Sequence, residues 1–541
     1  MYAVESWDAL VIALYFAALV LISLYFVKSP SETPHYYFLS NRNLGWIVIG
    51  TSIFAASISS EHFLGLAEYS AKQDLAIANY ELILVMPLLL LGWCLAPLFL
   101  RANIYTIPEY FGKRFDKRTQ LYLSGFMILF YLIIRISVSL LAGGLLLNLV
   151  FDWDIYTSSI VIMMITGIYT IMGGLTVVVY TSVFQAIIII LGVITLTFFG
   201  LNEVGGVQAI QKSMSSIDFT MFKPVSDPDF PWTGILFGAP IIGIGYWCTD
   251  QYIIQRILAA KSVSSARNST ILVGFLKTFS VLFIVIASIM TVVIIPGVEE
   301  NQALASLLYS NLLPSGFKGI VVTGVLAALM SSLSGAFISS SSLITMDFFR
   351  YFQPHSSEKK LVLVGRLATI FMVVIGILWI PILKIVNLPL YPYILKFQAY
   401  FAPPIVAIFI LGLLWKRMNS RSAVWTLIIG LIPGIVRTIP ELLKIDPILN
   451  HPFFDWFFSI NYLHYGILLF LFSLILATTV TLISRSKFST AIDQYMLTSG
   501  ELTFIFHGKK ILSRGERPEQ FAWIFSFVLM IILVGFWGLF L

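Results

Sequence analysis

Charge is what this sequence has least of. Only 11% of its 541 residues are Asp, Glu, Lys or Arg, where a soluble domain carries ~25%. Apolar residues make up 58%, and the mean hydropathy is +0.92. This balance excludes a soluble globular domain. Cysteine is nearly absent as well: the two present, Cys94 and Cys248, both sit in apolar runs, which leaves no disulfide framework and no thiolate metal cluster. Strict apolar–polar alternation is missing too. Unbroken apolar runs of about 20 residues recur instead, each long enough for a membrane helix, which excludes an outer-membrane barrel. No basic segment precedes the first run, Trp7 to Val27, and no small-residue cleavage site follows it, so it reads as a retained helix. The net charge of +6 does not call for nucleic acid, because the cytoplasmic loops of a multi-pass protein collect Lys and Arg.

About fourteen spans can be counted, the first from Trp7 and the last from Phe521. Basic residues fall in alternate loops: Lys28 and Arg42; Lys113, Arg114, Lys117 and Arg118; Arg256, Lys261 and Arg267; Arg350, Lys359, Lys360 and Arg366; then Lys416, Arg417 and Arg421. The opposite loops hold Asp152, Asp154, Asp227, Asp229, Glu299 and Glu300. The basic set reads as cytoplasmic, which predicts a multi-pass protein of the plasma (inner) membrane with both termini extracytoplasmic. Membrane lipid is thus an expected partner, and nucleic acid is not.

What is present at membrane depth is more telling. Glu61, His62, Glu81, Arg135, Asp250, Lys277 and Lys396 all fall within apolar stretches. An ionisable group there costs at least ~2.5–3.5 kcal/mol on insertion scales, so each needs a partner or a task. Any one of them could be paired structurally; so many in one chain point to a hydrated cavity inside a helix bundle. Two spans also read as broken. Ala55-Ala56-Ser57-Ile58-Ser59-Ser60 is built of small residues and hydroxyls that compete with helical hydrogen bonds. "GAPIIGIGYW" (238–247) puts Pro240, Gly243 and Gly245 mid-span, which predicts an interruption there. Paired broken helices mark a secondary transporter whose site lies near the midplane. A third polar stretch, "AALMSSLSGAFISSSS" (327–342), is rich in serine. Close helix packing explains scattered serines, but the adjacent Ser331 and Ser332 cannot both face one neighbour. Their hydroxyls suit weak, releasable binding of a hard monovalent cation.

Several blocks in order resemble the sodium/solute symporter family, and within it the sodium–sugar cotransporters: "SSEHFLGLA" (59–67), "YTIPEYFGKRF" (105–115), "YTIMGGLTVVVYT" (169–181), "YWCTDQYIIQRILAAKS" (246–262), "MSSLSGAF" (330–337) with "TMDFF" (345–349), and "PPIVAIFILGLLWKR" (403–417). The resemblance implies an all-α membrane protein with a leucine-transporter-type core of two inverted five-helix repeats, broken in the first and sixth core helices. The implied division is a leading helix and first cytoplasmic loop (1–43), a first repeat (44–201), an external loop (202–231) and a second repeat (232–415). Trailing helices (416–541) follow, with a cytoplasmic loop at 486–518.

The resemblance further implies a sodium site from Ala55, Ile58, Ala328, Ser331 and Ser332. It implies a solute site from Ser57, His62, Tyr80, Glu81, Tyr246, Trp247, Lys277 and Gln398, and gates at Leu66, Tyr246 and Tyr391. Sodium is the coupling ion, with no organic cofactor. Mixed donors and acceptors beside an aromatic face suit a polyhydroxylated solute. Three positions depart from the sugar transporters: Leu395 stands where they have glutamine, Ser57 where they have asparagine, and Gly243 where they have a polar residue. Arg135 matches a region where sialic-acid transporters of the family bind a carboxylate, so a carboxylated solute is the alternative. Ser182 stands near a position where sugar cotransporters commonly carry an aspartate, which implies one sodium per solute.

Other classes lack their signatures. A channel needs rings of carbonyls or charges. An enzyme needs a nucleophile–base pair, but His62 and Glu61 are sequence neighbours that point apart on a helix.

Overall fold

A computed structural model of the chain describes residues 5–27, 33–59, 62, 75–206, 220–295, 312–386, 390–443, 452–484, 490–497 and 517–539. Among these, eleven helices are long and apolar enough to cross a membrane, and Trp46–Ser57 and Gly234–Cys248 are shorter apolar helices. Polar side chains set many of the boundaries. Asp154 caps Ile155–Val204 by accepting the N–H groups of Tyr156 and Thr157. Asp116 caps the helix at Lys117, and Ser262 caps Val263–Ile294. Each side-chain oxygen satisfies a backbone N–H that has no partner within its own helix.

The 50-residue helix Ile155–Val204 would extend ~75 Å if straight, more than twice the hydrocarbon thickness. It is not straight. Gly174 has φ 58° and ψ −148°, a region open essentially to glycine alone. A Cβ there would lie 2.5 Å from the carbonyl oxygen of Tyr37. The two halves therefore meet at a break where another backbone approaches, within the stretch the sequence divides into two spans.

Helix Phe317–Ser342 is buried along nearly its whole length and packs against Ile155–Val204, Trp46–Ser57 and the leading helix Ser6–Val27. The bundle interior offers hydroxyl partners that lipid does not, and Ser331, Ser332, Ser334, Ser339 and Ser341 each have one. The span expected near Leu304 begins outside the described residues; the described helix starts at Phe317.

The break expected within 238–247 lies elsewhere than the sequence predicts. Pro240 follows directly on a π-helical turn, Gly234–Gly238, in which the Ala239 N–H reaches back five residues to the Gly234 carbonyl; this wider turn takes up the proline without stopping the helix, and Gly243 and Gly245 continue it. Instead of loosening the backbone, these glycines admit close neighbours. A Cβ on Gly243 would meet Pro87 and Leu84, and one on Gly245 would meet Ala402. The chain leaves helical geometry at Thr249 and Asp250, then restarts as Gln251–Leu258 with Asp250 as N-cap. The first interruption falls where expected. Trp46–Ser57 ends at Ile58, whose φ −96° and ψ 91° are extended.

Candidate functional site

A cavity of about 40 Å³ is lined by His62, Tyr80, Glu81, Leu84, Arg135, Tyr246, Lys277, Ile394, Leu395 and Gln398. Seven of the expected solute residues thus share one space. It would hold about three waters, so a larger solute must part the walls.

Its centre is an ion pair. Lys277 Nζ lies 2.7 Å from Glu81 Oε2, and both side chains are 3% exposed. His62 Nε2 stands 3.7 Å from Glu81 Oε1. The His62 ring is held from behind, with Nδ1 3.4 Å from the N–H of Ser59 and 3.3 Å from its hydroxyl. Lys277 also sits 5.2 Å from the ring centre of Trp247, a cation–π contact. The wall therefore presents an acceptor, a cationic donor and an imidazole within a few ångströms, beside the Tyr80 and Tyr246 rings. The Tyr80 hydroxyl and the Trp247 indole N–H are buried without a hydrogen-bond partner among the described residues.

Tyr246 and Gln398 also line a second, mostly apolar cavity of about 60 Å³ with Phe126, Phe130, Thr249, Asp250 and Phe401. Tyr246, one of the expected gates, thus borders both cavities. Leu66 and the Tyr391 side chain, the other expected gates, lie outside the described residues.

Two expectations need correction. Ser57 does not line the cavity: its hydroxyl turns back to the Phe54 carbonyl at 3.0 Å, as serines near helix ends commonly do. Lys396 is not enclosed at membrane depth. Its side chain is 45% exposed and pairs with Glu441 at 3.6 Å.

Arg135 lines the cavity but is already engaged. Its Nη2 lies 3.2 Å from Asp250 Oδ2, and its guanidinium sits over the rings of Tyr252 (4.2 Å) and Tyr246 (5.0 Å). The other Asp250 oxygen accepts from the Tyr131 hydroxyl and, at 3.0 Å, from the N–H of Tyr252. Tyr131 and Arg135 share a π-helical turn, Tyr131–Ile136, which turns both toward Asp250. Sequence reading singled out Asp250 and Arg135 separately and missed Tyr131 altogether. The available signal was the spacing in "YLIIR" (131–135), which puts Tyr131 four residues before Arg135 on the same helix face.

The expected sodium residues Ala55, Ile58, Ala328 and Ser331 are fully buried, and Ser332 is 3% exposed. The N–H of Ser59 faces His62 instead of continuing the helical ladder to Ala55. The neighbouring carbonyl of Ala56 accepts from the Tyr252 hydroxyl at 2.8 Å and from Ser332 Oγ at 3.5 Å. Ser331 faces the other way, with its Oγ 3.0 Å from Ser182 Oγ. The adjacent serines thus do face different neighbours. Neutral oxygens at a helix break are a fit for a sodium ion.

Also missed was Asp347, a fully buried carboxylate in "TMDFF". It accepts from Thr106 (2.8 and 3.0 Å), Gln120 (2.7 Å) and Ser124 (2.6 Å), tying the end of the serine-rich span to two other segments.

Comparison with known proteins gives the family. The model of the sodium:solute symporter family matches residues 37–430. Sodium/glucose cotransporter 1 of Oryctolagus cuniculus is 34% identical over 526 residues, covering 88% of this chain and 79% of that protein. Sodium/myo-inositol cotransporter 2 of Homo sapiens is 32% identical over 516 residues, covering 88% and 76%. Among solved structures, a Na+-coupled sialic acid symporter aligns with a TM-score of 0.78 at 21% identity, over 90% of this chain and 100% of that one. A nucleobase-cation-symport-1 family transporter aligns at 0.54 and 15% identity, over 86% and 98%. At those identities the structures speak for the fold alone. The relatives are transporters, and this chain is a multi-pass membrane transporter, not an enzyme. It belongs to the sodium:solute symporter family.

Proposed function

We propose that this chain is a sodium-driven symporter of a small neutral polyhydroxylated solute, a sugar or polyol, working by alternating access. The observation that carries this reading is the Glu81–Lys277–His62 cluster in a cavity walled by Tyr80 and Tyr246. Sugar hydroxyls both donate and accept, and this wall offers both functions beside flat apolar faces. The names of the relatives, sodium/glucose and sodium/myo-inositol cotransporters, agree with it. Sodium would bind where the first broken helix meets the serine helix, through the carbonyls of Ala55, Ile58 and Ala328 and the hydroxyls of Ser331 and Ser332. We further propose fourteen membrane crossings, with Ile155–Val204 crossing twice, two inverted repeats over 44–201 and 232–415, and both termini extracytoplasmic.

A carboxylated solute is the second reading, favoured by Arg135 lining the same cavity. Its cost is separation of Arg135 from Asp250, and breaking a buried pair costs ~3–5 kcal/mol. Uptake into proteoliposomes with and without a sodium gradient, over a panel of neutral and carboxylated sugars, separates the readings. Sodium-dependent uptake of a neutral sugar or polyol is expected, and uptake confined to carboxylated members would overturn it. In the same panel Arg135→Ala is expected to depress all solutes alike.

A further inference from the structure

The leading helix Ser6–Val27 lies before the residues that the family model matches, yet two of its polar side chains reach the serine helix. Asp8, 2% exposed, accepts the N–H groups of Gly316 (2.8 Å) and Gly319 (2.7 Å) through Oδ1. It thereby supplies the cap that Gly316, lacking a side chain, cannot give to Phe317–Ser342. Gly319 permits this approach, since a Cβ there would lie 2.8 Å from the Asp8 Cα. The leading helix is thus seated at the start of the serine helix.

Two turns further along, Tyr15 reaches its middle. The Tyr15 hydroxyl donates to Met330 Sδ at 3.6 Å and accepts from Gln185 Nε2 at 3.3 Å. The ring is 3% exposed and stacks on Phe184 at 5.7 Å. Met330 directly precedes Ser331, and its carbonyl accepts the Tyr169 hydroxyl at 3.1 Å. Ser331 Oγ in turn meets Ser182, one turn before Gln185, at 3.0 Å. The contacts close a ring: Gln185, Tyr15, Met330, Ser331, Ser182 and back to the helix that bears Gln185.

We propose that Tyr15 is a positioning residue for sodium binding, fixing the hydroxyl of Ser331 through Met330 and Gln185. The inference rests on the sodium reading given above. A cradle of neutral oxygens has no charge of its own to hold the ion, so its affinity depends on how well those oxygens are placed beforehand. Met330 is the weak point in that placement, because its unbranched side chain has three rotatable bonds. Tyr15 pins it from a helix outside the matched core. The hydroxyl performs this task, and the ring only packs.

The test is Tyr15→Phe in proteoliposomes, which keeps the ring and its stacking on Phe184. The sodium half-saturation constant should rise about three- to tenfold, as loss of the hydroxyl's two weak buried hydrogen bonds, to Met330 and from Gln185, implies. The maximal rate and the solute KM at saturating sodium should stay at wild-type values. Gln185→Ala removes the bond that the Tyr15 hydroxyl accepts, leaving the one it donates to Met330, and carries the test with a smaller shift of the same sign if the first variant does not reach the membrane. The double variant should be no worse than the worse single one, because both remove one coupled unit. Loss of folded protein in both variants, or a change in maximal rate or solute KM with the sodium constant unmoved, would overturn the inference. Ser331→Ala and Ser332→Ala in the same assay distinguish the two failures. If both leave sodium dependence intact, the sodium reading falls. If they abolish it while Tyr15→Phe matches wild type, only the role of Tyr15 falls.

Discussion

Replacing Glu81 with Gln keeps the shape of the side chain and removes its charge, which isolates what the charge does. Lys277, 2.7 Å away and buried, then loses its counter-ion and keeps its contact with the Trp247 ring. Breaking a buried pair by removing one partner costs ~3–5 kcal/mol of stability, because a charge is left uncompensated. The solute loses a charge-assisted acceptor, worth ~1.5–3 kcal/mol, or about ten- to a hundredfold in affinity. A second change separates these effects. Lys277→Met in the Glu81→Gln background removes the stranded charge and should recover much of the thermal stability, since apolar replacements of buried pairs are commonly neutral or better. It should not recover uptake, because the charged acceptor and the charged donor are both gone. The assay pairs thermal unfolding of the purified protein with solute uptake in liposomes over a concentration series. The reasoning is refuted if Glu81→Gln binds solute with wild-type affinity, or if the double variant regains transport along with stability.

Ser332→Ala should abolish sodium-dependent uptake while leaving unfolding almost unchanged, since among the described residues its Oγ makes only a long 3.5 Å contact to Ala56; active transport by this variant speaks against the sodium site. Sodium activation curves should have a Hill coefficient near one, because Ser182 supplies no charge beside Ser331. One sodium falling through ~100 mV gains ~2.3 kcal/mol, enough to accumulate a neutral solute. Ser182→Asp should steepen that curve, and a wild-type coefficient near two would count against a single ion. Gly174→Ala should lower the unfolding temperature, with ~1–3 kcal/mol of backbone strain plus the clash with Tyr37, and an unchanged unfolding midpoint would contradict the need for glycine there.

The class of this protein was settled by local properties. Hydropathy over windows of about twenty residues is a sum over neighbours in the chain, so the membrane helices were legible without any fold. The motif blocks carried the family. The break after Ser57 was legible too, because small residues and hydroxyls weaken the helix at the place where they stand.

Tertiary structure decided the rest. Pro240 and Gly245 looked like a break and are not one, because a π-helical turn just before the proline takes up its missing N–H and a glycine against Ala402 serves close packing. The actual break, at Thr249 and Asp250, is stabilised by Tyr131 and Arg135, more than a hundred positions away in the chain. Composition could mark Arg135, Asp250, Glu81 and Lys277 as charges in need of partners. It could not say which pairs with which, since a buried charge takes the counter-ion nearest in space. For the same reason, that Ser331 turns to Ser182 while Ser332 turns to Ala56 was fixed only by the helices that pack on either side.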